Sequence, residues 1–185
     1  LLSCASGRRI VGKRGRVIAI EAVRPAAELL RRLGLCNEVL EIDATDPVAV
    51  QSGVAKATRG KMGDVVINVA SVPDTENSSI LSAKRKGKVI FFSMATSFTK
   101  VALGAEGLVS DATLIFGNGY YPNHSRHAIE VLRSNADLRE LFIKRYSSSP
   151  APSWRYRWRL ITMNVPVCRV HCVGEVTAFG RQFLG

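Results

Sequence analysis

The stretch Lys88-Val89-Ile90-Phe91-Phe92-Ser93-Met94-Ala95-Thr96-Ser97-Phe98-Thr99-Lys100 decides the fold. It opens as an unbroken apolar run bounded by Gly87 and closes on small hydroxyl residues. That is the pattern of a strand buried on both faces whose carboxyl end opens into a polar loop. Open α/β sheets hold their ligands in the crevice beyond the carboxyl ends of the strands. Ser93, Met94, Thr96 and Ser97 are therefore expected to face the ligand.

Working outward, strands and helices alternate. Towards the amino end, Asp64–Val69 is apolar until Asn68 and reads as a strand. A helix over about Thr75–Lys84 joins it to the strand at Lys88–Phe92. Before it, Val39–Ile42 is a strand leading into Asp43-Ala44-Thr45-Asp46-Pro47, where Thr45 or Asp46 can cap a helix that Pro47 starts and Gly60 stops. Arg16–Ile20 is a β-branched strand tipped by Glu21, and the helix after it begins at Pro25 and ends at Gly34. Leu1–Val11 reads as helical turns closed by Gly12 and Gly15. Towards the carboxyl end, Ala112–Phe116 is a fifth strand, followed by Gly117-Asn118-Gly119 and two short helices, His124–Arg133 and Ala136–Tyr146. Such alternation with short connections specifies an α/β fold, a Rossmann-like parallel sheet flanked by helices.

Composition bounds the function. A chain of 185 residues, 46% hydrophobic and 22% charged, matches an ordinary globular domain. No apolar run reaches the roughly 20 residues that span a bilayer. The opening Leu-Leu-Ser-Cys-Ala-Ser-Gly-Arg-Arg places basic residues after apolar ones, the reverse of a signal peptide. Net charge is +11, yet it is spread along the chain, so nucleic acid is not the expected partner. Cys4, Cys36, Cys168 and Cys172 form neither a CxxC pair nor a dense disulfide framework, and reduced thiols in a cytoplasmic protein are expected. Cys168, His171 and Cys172 lie close together without a fourth ligand, and His124 and His127 lack a carboxylate partner, so no metal site is expected.

The strand tips carry the chemistry. An acid at the end of the strand that follows the first helix, here Glu21, is placed to take the adenosine ribose hydroxyls of a dinucleotide. Asp43 ends the next strand, where the loop lies against the adenine. Asn68 and Ser93 continue the same edge. Lys100, beyond the fourth strand, either approaches a substrate or solvates a loop. Ser93, Thr96 and Ser97 have no His and Asp at hydrolase-like spacing, which argues against a serine nucleophile. The fingerprint G-x-G-x-x-G should stand between a first strand and first helix, but the chain opens inside that helix, and Gly7-Arg8-Arg9-Ile10-Val11-Gly12 comes at its wrong end. A sheet without its first, central strand would expose two unpaired edges, so low stability and aggregation are expected.

Leu33-Gly34-Leu35-Cys36-Asn37-Glu38-Val39, Asp43-Ala44-Thr45-Asp46-Pro47, Asp64-Val65-Val66-Ile67-Asn68, the run Phe91–Lys100, Leu103-Gly104-Ala105-Glu106-Gly107 and Gly117-Asn118-Gly119-Tyr120 resemble the L-erythro-3,5-diaminohexanoate dehydrogenases of lysine fermentation. The resemblance covers about Leu1–Tyr146. It implies an NAD-dependent oxidative deamination in which hydride leaves the carbon bearing the 3-amino group and water replaces the imine, giving 5-amino-3-oxohexanoate and ammonium. By the same resemblance Glu21 binds the adenosine ribose, Asp43, Ala44 and Thr45 flank the adenine, and Asn68, Val69, Ala70, Ser93, Met94 and Ala95 line the ribose and nicotinamide. The acidic Glu21 favours NAD by repelling a 2′-phosphate, and Arg24 nearby keeps NADP as the lesser alternative. No residue is assigned as catalytic base. A homo-oligomer is compatible with this reading.

The family carries an amino-terminal substrate domain and the glycine loop ahead of this point, so the chain is expected to be a fragment inactive alone. Residues 1–146 form its partial nucleotide-binding domain. Residues 147–185, with five arginines against Glu175 and the run Trp154-Arg155-Tyr156-Arg157-Trp158-Arg159, match nothing in the family and are expected to be a poorly ordered tail from a shifted reading frame. Two rival readings follow: a noncatalytic domain that uses the same sheet to bind a nucleotide or a partner, and a basic module that stacks nucleic-acid bases on Trp154, Tyr156 and Trp158.

Overall fold

The computed structural model describes residues 1–117, 122–146 and, as backbone, 171–175. Strands β1 (Arg16–Ile20), β2 (Glu38–Leu40), β3 (Gly63–Asn68), β4 (Ala83–Phe91), β5 (Thr113–Phe116) and β6 (His171–Glu175) form one sheet in the order β2-β1-β6-β3-β4-β5. Helices α1 (Leu2–Val11), α2 (Arg24–Arg32), α3 (Pro47–Thr58), α4 (Glu76–Leu81) and α5 (Phe98–Gly107) belong to the same compact unit. Helices α6 (His124–Ser134) and α7 (Ala136–Tyr146) belong to a second unit, in which Asn135 Oδ1 accepts the Leu138 amide at 2.8 Å and Val131 and Leu138 are buried.

Strand period 2 divides β1 between two layers. Ile18 and Ile20 join Val50 and Val54 of α3, Val66 of β3, and Val89 and Phe91 of β4 in the main core. Val17, on the other face, lies against α1, where a Cβ at Gly7 would sit 3.7 Å from its side chain. Helix α3 starts where Pro47 follows a capping residue. Asp46 is that cap, its carboxylate accepting the Val48 and Ala49 amides at 3.1 and 3.0 Å. Replacing it as Asp46→Ala is expected to cost about 1 kcal/mol, read as a lower urea midpoint at unchanged slope.

Three pairs are parallel, β1 with β2, β3 with β4, and β4 with β5. The expected pair of open inner edges is not found. Strand β6 lies antiparallel between β1 and β3, with Val173 opposite both Ile18 and Val66, and His171 opposite both Ile20 and Asn68. Five residues of the basic carboxyl-terminal segment thus supply the ladder that a first strand would have made. The remaining residues of 147–185, with Trp154, Tyr156, Trp158 and the side chains of Cys168, His171 and Cys172, lie outside the described residues.

Other elements also differ from the sequence expectation. Helix α4 stops at Leu81 and β4 begins at Ala83, so the strand passes through Lys86 at φ 56° and presses Gly87 against its neighbours. A Cβ at Gly87 would lie 2.8 Å from the Lys84 carbonyl and 3.1 Å from that of Gly63, so the register shift between Gly63 and Val65 requires glycine there. Another is α5, absent from the sequence reading. Ser97 caps it by accepting the Lys100 amide, and Val101 buries into the core.

Candidate cofactor-binding edge

Pairing places the strand tips side by side. Ile20 opposes Leu40 and the Glu21 amide continues the ladder to the Leu40 carbonyl at 3.0 Å. On the far side of β6, Asn68 opposes Phe91 and its carbonyl accepts the Phe92 amide at 2.8 Å. Winding reverses across β6, so the loops after β1, β2, β3 and β4 open from one edge at the switch point.

Glu21 is 1% exposed. Its Oε1 accepts the Val23 amide at 2.9 Å, which fixes the turn into α2. Sequence reasoning places this carboxylate at the tip but does not reveal that it also builds the turn. Asp43 and Thr45 are exposed, and Asp43 Oδ1 accepts both the Thr45 amide at 3.0 Å and the Thr45 hydroxyl at 2.9 Å. Ala44 between them is buried, its carbonyl accepting the Ser78 hydroxyl at 2.6 Å and so tying the β2 loop to α4. A cleft bounded by Ala22, Asp43, Thr45, Ala70, Val72 and Thr75 runs across the switch point and encloses about 10 Å³, the space of a single water.

Asn68 organises the next loop. Fully buried, it donates to the Thr75 hydroxyl at 2.9 Å and the Ser79 hydroxyl at 3.0 Å, while its Oδ1 accepts the Ala70 amide at 3.1 Å. Val69 is half-buried and Ala70 buried under this network. Ser93 turns the chain after β4, its hydroxyl accepting the Ala95 amide at 3.2 Å, and Met94 projects fully into solvent. Asp43–Thr45 and Ala70 line the cleft together with Ala22, while Glu21 and Asn68 stand just before it at the ends of their strands. Ser93–Ala95 extend the edge outward along β4.

Glu76 was missed in the sequence. It is buried, and its Oε1 accepts the Ser97 amide at 2.8 Å, anchoring the loop that carries Ser93–Ala95 to α4; its Oε2 has no hydrogen-bond donor among the described residues. The sequence signal was an acid in the first turn of a short helix, which reads as a helix-end charge. Lys100 pairs with Asp74, whose carboxylate holds the ammonium above its ordinary range. Arg24 pairs with Glu28 at 3.1 Å. His124 and His127 are exposed on α6. A larger depression of about 500 Å³, reached by Lys61, Met62, Ala83, Leu108 and Asp111, lies at the opposite, amino ends of β3 and β4, away from the strand tips where such folds bind ligands.

No family model matches the chain. The L-erythro-3,5-diaminohexanoate dehydrogenase of Fusobacterium nucleatum is 44% identical over 136 residues, which are 74% of this chain and 39% of the relative. The enzyme of that name from Acetoanaerobium sticklandii is 38% identical over 146 residues, 79% of this chain and 42% of the relative. The chain resembles the L-erythro-3,5-diaminohexanoate dehydrogenases. It spans about two fifths of the length of these dehydrogenase relatives. A solved structure titled crystal structure of AibC superposes with a TM-score of 0.50 at 19% identity, covering 71% of this chain and 34% of that one, and shares the α/β fold. Among the described residues no helix is long and apolar enough to cross a membrane.

Proposed function

We propose that the chain is the nucleotide-binding portion of a longer NAD-dependent dehydrogenase that oxidatively deaminates L-erythro-3,5-diaminohexanoate, a small amino acid. The observation that carries this reading is the alignment of Glu21, Asp43–Thr45, Asn68–Ala70 and Ser93–Ala95 along one carboxyl edge of the sheet, in a chain whose curated relatives bear that name. Glu21 takes the adenosine ribose hydroxyls; one of its oxygens already holds the Val23 amide, and a carboxylate has lone pairs for further donors. The cleft beside Asp43 and Thr45 is too small to admit a purine, so the adenine lies on it. Asn68–Ala70 and Ser93–Ala95 line the ribose and nicotinamide. When bound, the nicotinamide would accept the hydride; these residues position it. The acidic Glu21 at the ribose position would repel a 2′-phosphate, which supports NAD over NADP.

Titration of the purified chain with NADH, followed by cofactor fluorescence, tests the reading. Saturable binding is expected, weakened about tenfold or more by Glu21→Gln, since a hydrogen bond to a charged group contributes about 1.5–3 kcal/mol. Glutamine keeps an oxygen for the Val23 amide, so the turn survives while the charge is lost. A chain with native circular dichroism that binds no NADH would overturn the proposal.

A further inference from the structure

The face of α1 opposite the solvent meets the connection that enters β2. Arg8 Nε donates to the Leu35 carbonyl at 3.3 Å and Arg8 Nη2 to Asn37 Oδ1, while its Nη1 reaches the Gly12 and Gly15 carbonyls at 3.0 and 3.1 Å. Asn37 is itself fixed to β1, its amide donating to the Val17 carbonyl at 2.7 Å and its Oδ1 accepting the Val17 amide at 2.8 Å. Arg8 therefore grips the two residues that flank Cys36. Residues four apart lie on one helix face, so Cys4 stands one turn before Arg8 on that face. It is fully buried, Cys36 is half-buried, and the two thiols are hydrogen-bonded to each other.

We propose that Cys4 and Cys36 form a reversible disulfide on exposure to a small-molecule disulfide such as oxidised glutathione, stapling α1 to the connection between α2 and β2. Cys36, the more accessible sulfur, loses its proton and attacks one sulfur of the reagent, whose S–S bond breaks and releases one thiolate. The Cys4 thiolate then attacks the Cys36 sulfur of the mixed disulfide and expels the second. Two cysteine thiols are oxidised by two electrons, one reagent disulfide is reduced to two thiols, and the two cysteine protons end on them. Hydrogen bonding to Cys4, then burial, push the Cys36 thiol far above its ordinary range. Little thiolate exists at neutral pH, so the reaction is slow there and accelerates as pH rises. The cross-link closes a loop of about thirty residues, long enough to constrain the unfolded chain substantially. It sits at the amino ends of the strands, away from the cofactor edge, and does not depend on the cofactor reading.

The purified chain, fully reduced and then incubated with oxidised glutathione at mildly alkaline pH, is digested without reduction and mapped by mass spectrometry. A linked peptide pair containing Cys4 and Cys36 is expected, with an apparent melting temperature about 10 °C above the reduced chain, reversed by dithiothreitol and absent in Cys36→Ser. Four outcomes would overturn the proposal: no reaction, a glutathione adduct on Cys36 that never resolves, preferential linkage to Cys168 or Cys172, or a Cys4–Cys36 link that leaves the melting temperature unchanged or lower.

Discussion

A chain ending at Tyr146 is expected to lose cooperative unfolding and to elute as aggregate, whereas the full chain unfolds in one transition. The reason lies in the middle of the sheet. Strand β6 pairs with β1 over Arg16–Ile20 and with β3 over Val65–Asn68. Its removal strips partners from both strands at once and leaves Ile18 and Val66, each among the most buried residues, beside a gap. Each lost ladder hydrogen bond costs about 0.5–1.5 kcal/mol net, and with the apolar surface uncovered on both strands the total is comparable with the roughly 5–15 kcal/mol by which a domain is stable. The two exposed edges then template intermolecular pairing. Size-exclusion chromatography with thermal denaturation reads both consequences. A shortened chain that remains monomeric with an unchanged transition would show that β6 contributes nothing to the sheet.

Asn68→Leu is the second large effect. The side chain is fully buried and holds three groups: the Thr75 and Ser79 hydroxyls through its amide nitrogen, and the Ala70 amide through its oxygen. Leucine is close in size but offers no polar atom. Ser79 still donates to the Thr75 carbonyl at 2.8 Å, so its loss is partial. The Ala70 amide is left buried without its acceptor. The expected destabilisation is about 3 kcal/mol, measured as a shift in urea midpoint. Because Val69 and Ala70 are positioned by these same bonds, NADH binding should weaken further than the stability loss alone explains, when measured well below the unfolding transition. Equal affinity in a folded Asn68→Leu chain would remove this loop from the cofactor site.

Much of this edge is legible in the chain because strand tips announce themselves. The apolar run Val65–Ile67 ends on Asn68, and Arg16–Ile20 ends on Glu21; a polar residue after a buried run has few places to stand except where the sheet stops. Asp46 before Pro47 is a cap by the same local logic. The role of Asn68 as the centre of a buried network is not legible, since Thr75 and Ser79 reach it only after the loop folds back. Helix α5 escaped notice for an instructive reason. Gly104 and Gly107 lower its local propensity, yet a Cβ at Gly104 would run into the end of the Asn77 side chain on α4. The residue that hides the helix from the sequence is the one that lets α5 pack on α4. Strand β4 begins earlier than its apolar run: Lys84-Arg85-Lys86 reads as loop, although Lys84 and Arg85 pair with Asp64 and Asp111. Strand β6 had no signal at all: five residues with one glycine and one glutamate earn their place through partners far away in sequence.

The direction of β6 has an electrostatic consequence. A parallel strand in that slot would deliver its carboxyl end to the crevice, and the helix following it would begin there, its positive pole and unpaired amides aimed at a bound pyrophosphate. Strand β6 runs the other way: His171 lies at the crevice and Glu175 at the far edge beside Arg16. The central slot therefore contributes hydrogen bonds to the sheet without a following helix of its own, and a positive helix pole at the crevice has to come from a neighbouring element such as α1, which runs back into the amino end of β1.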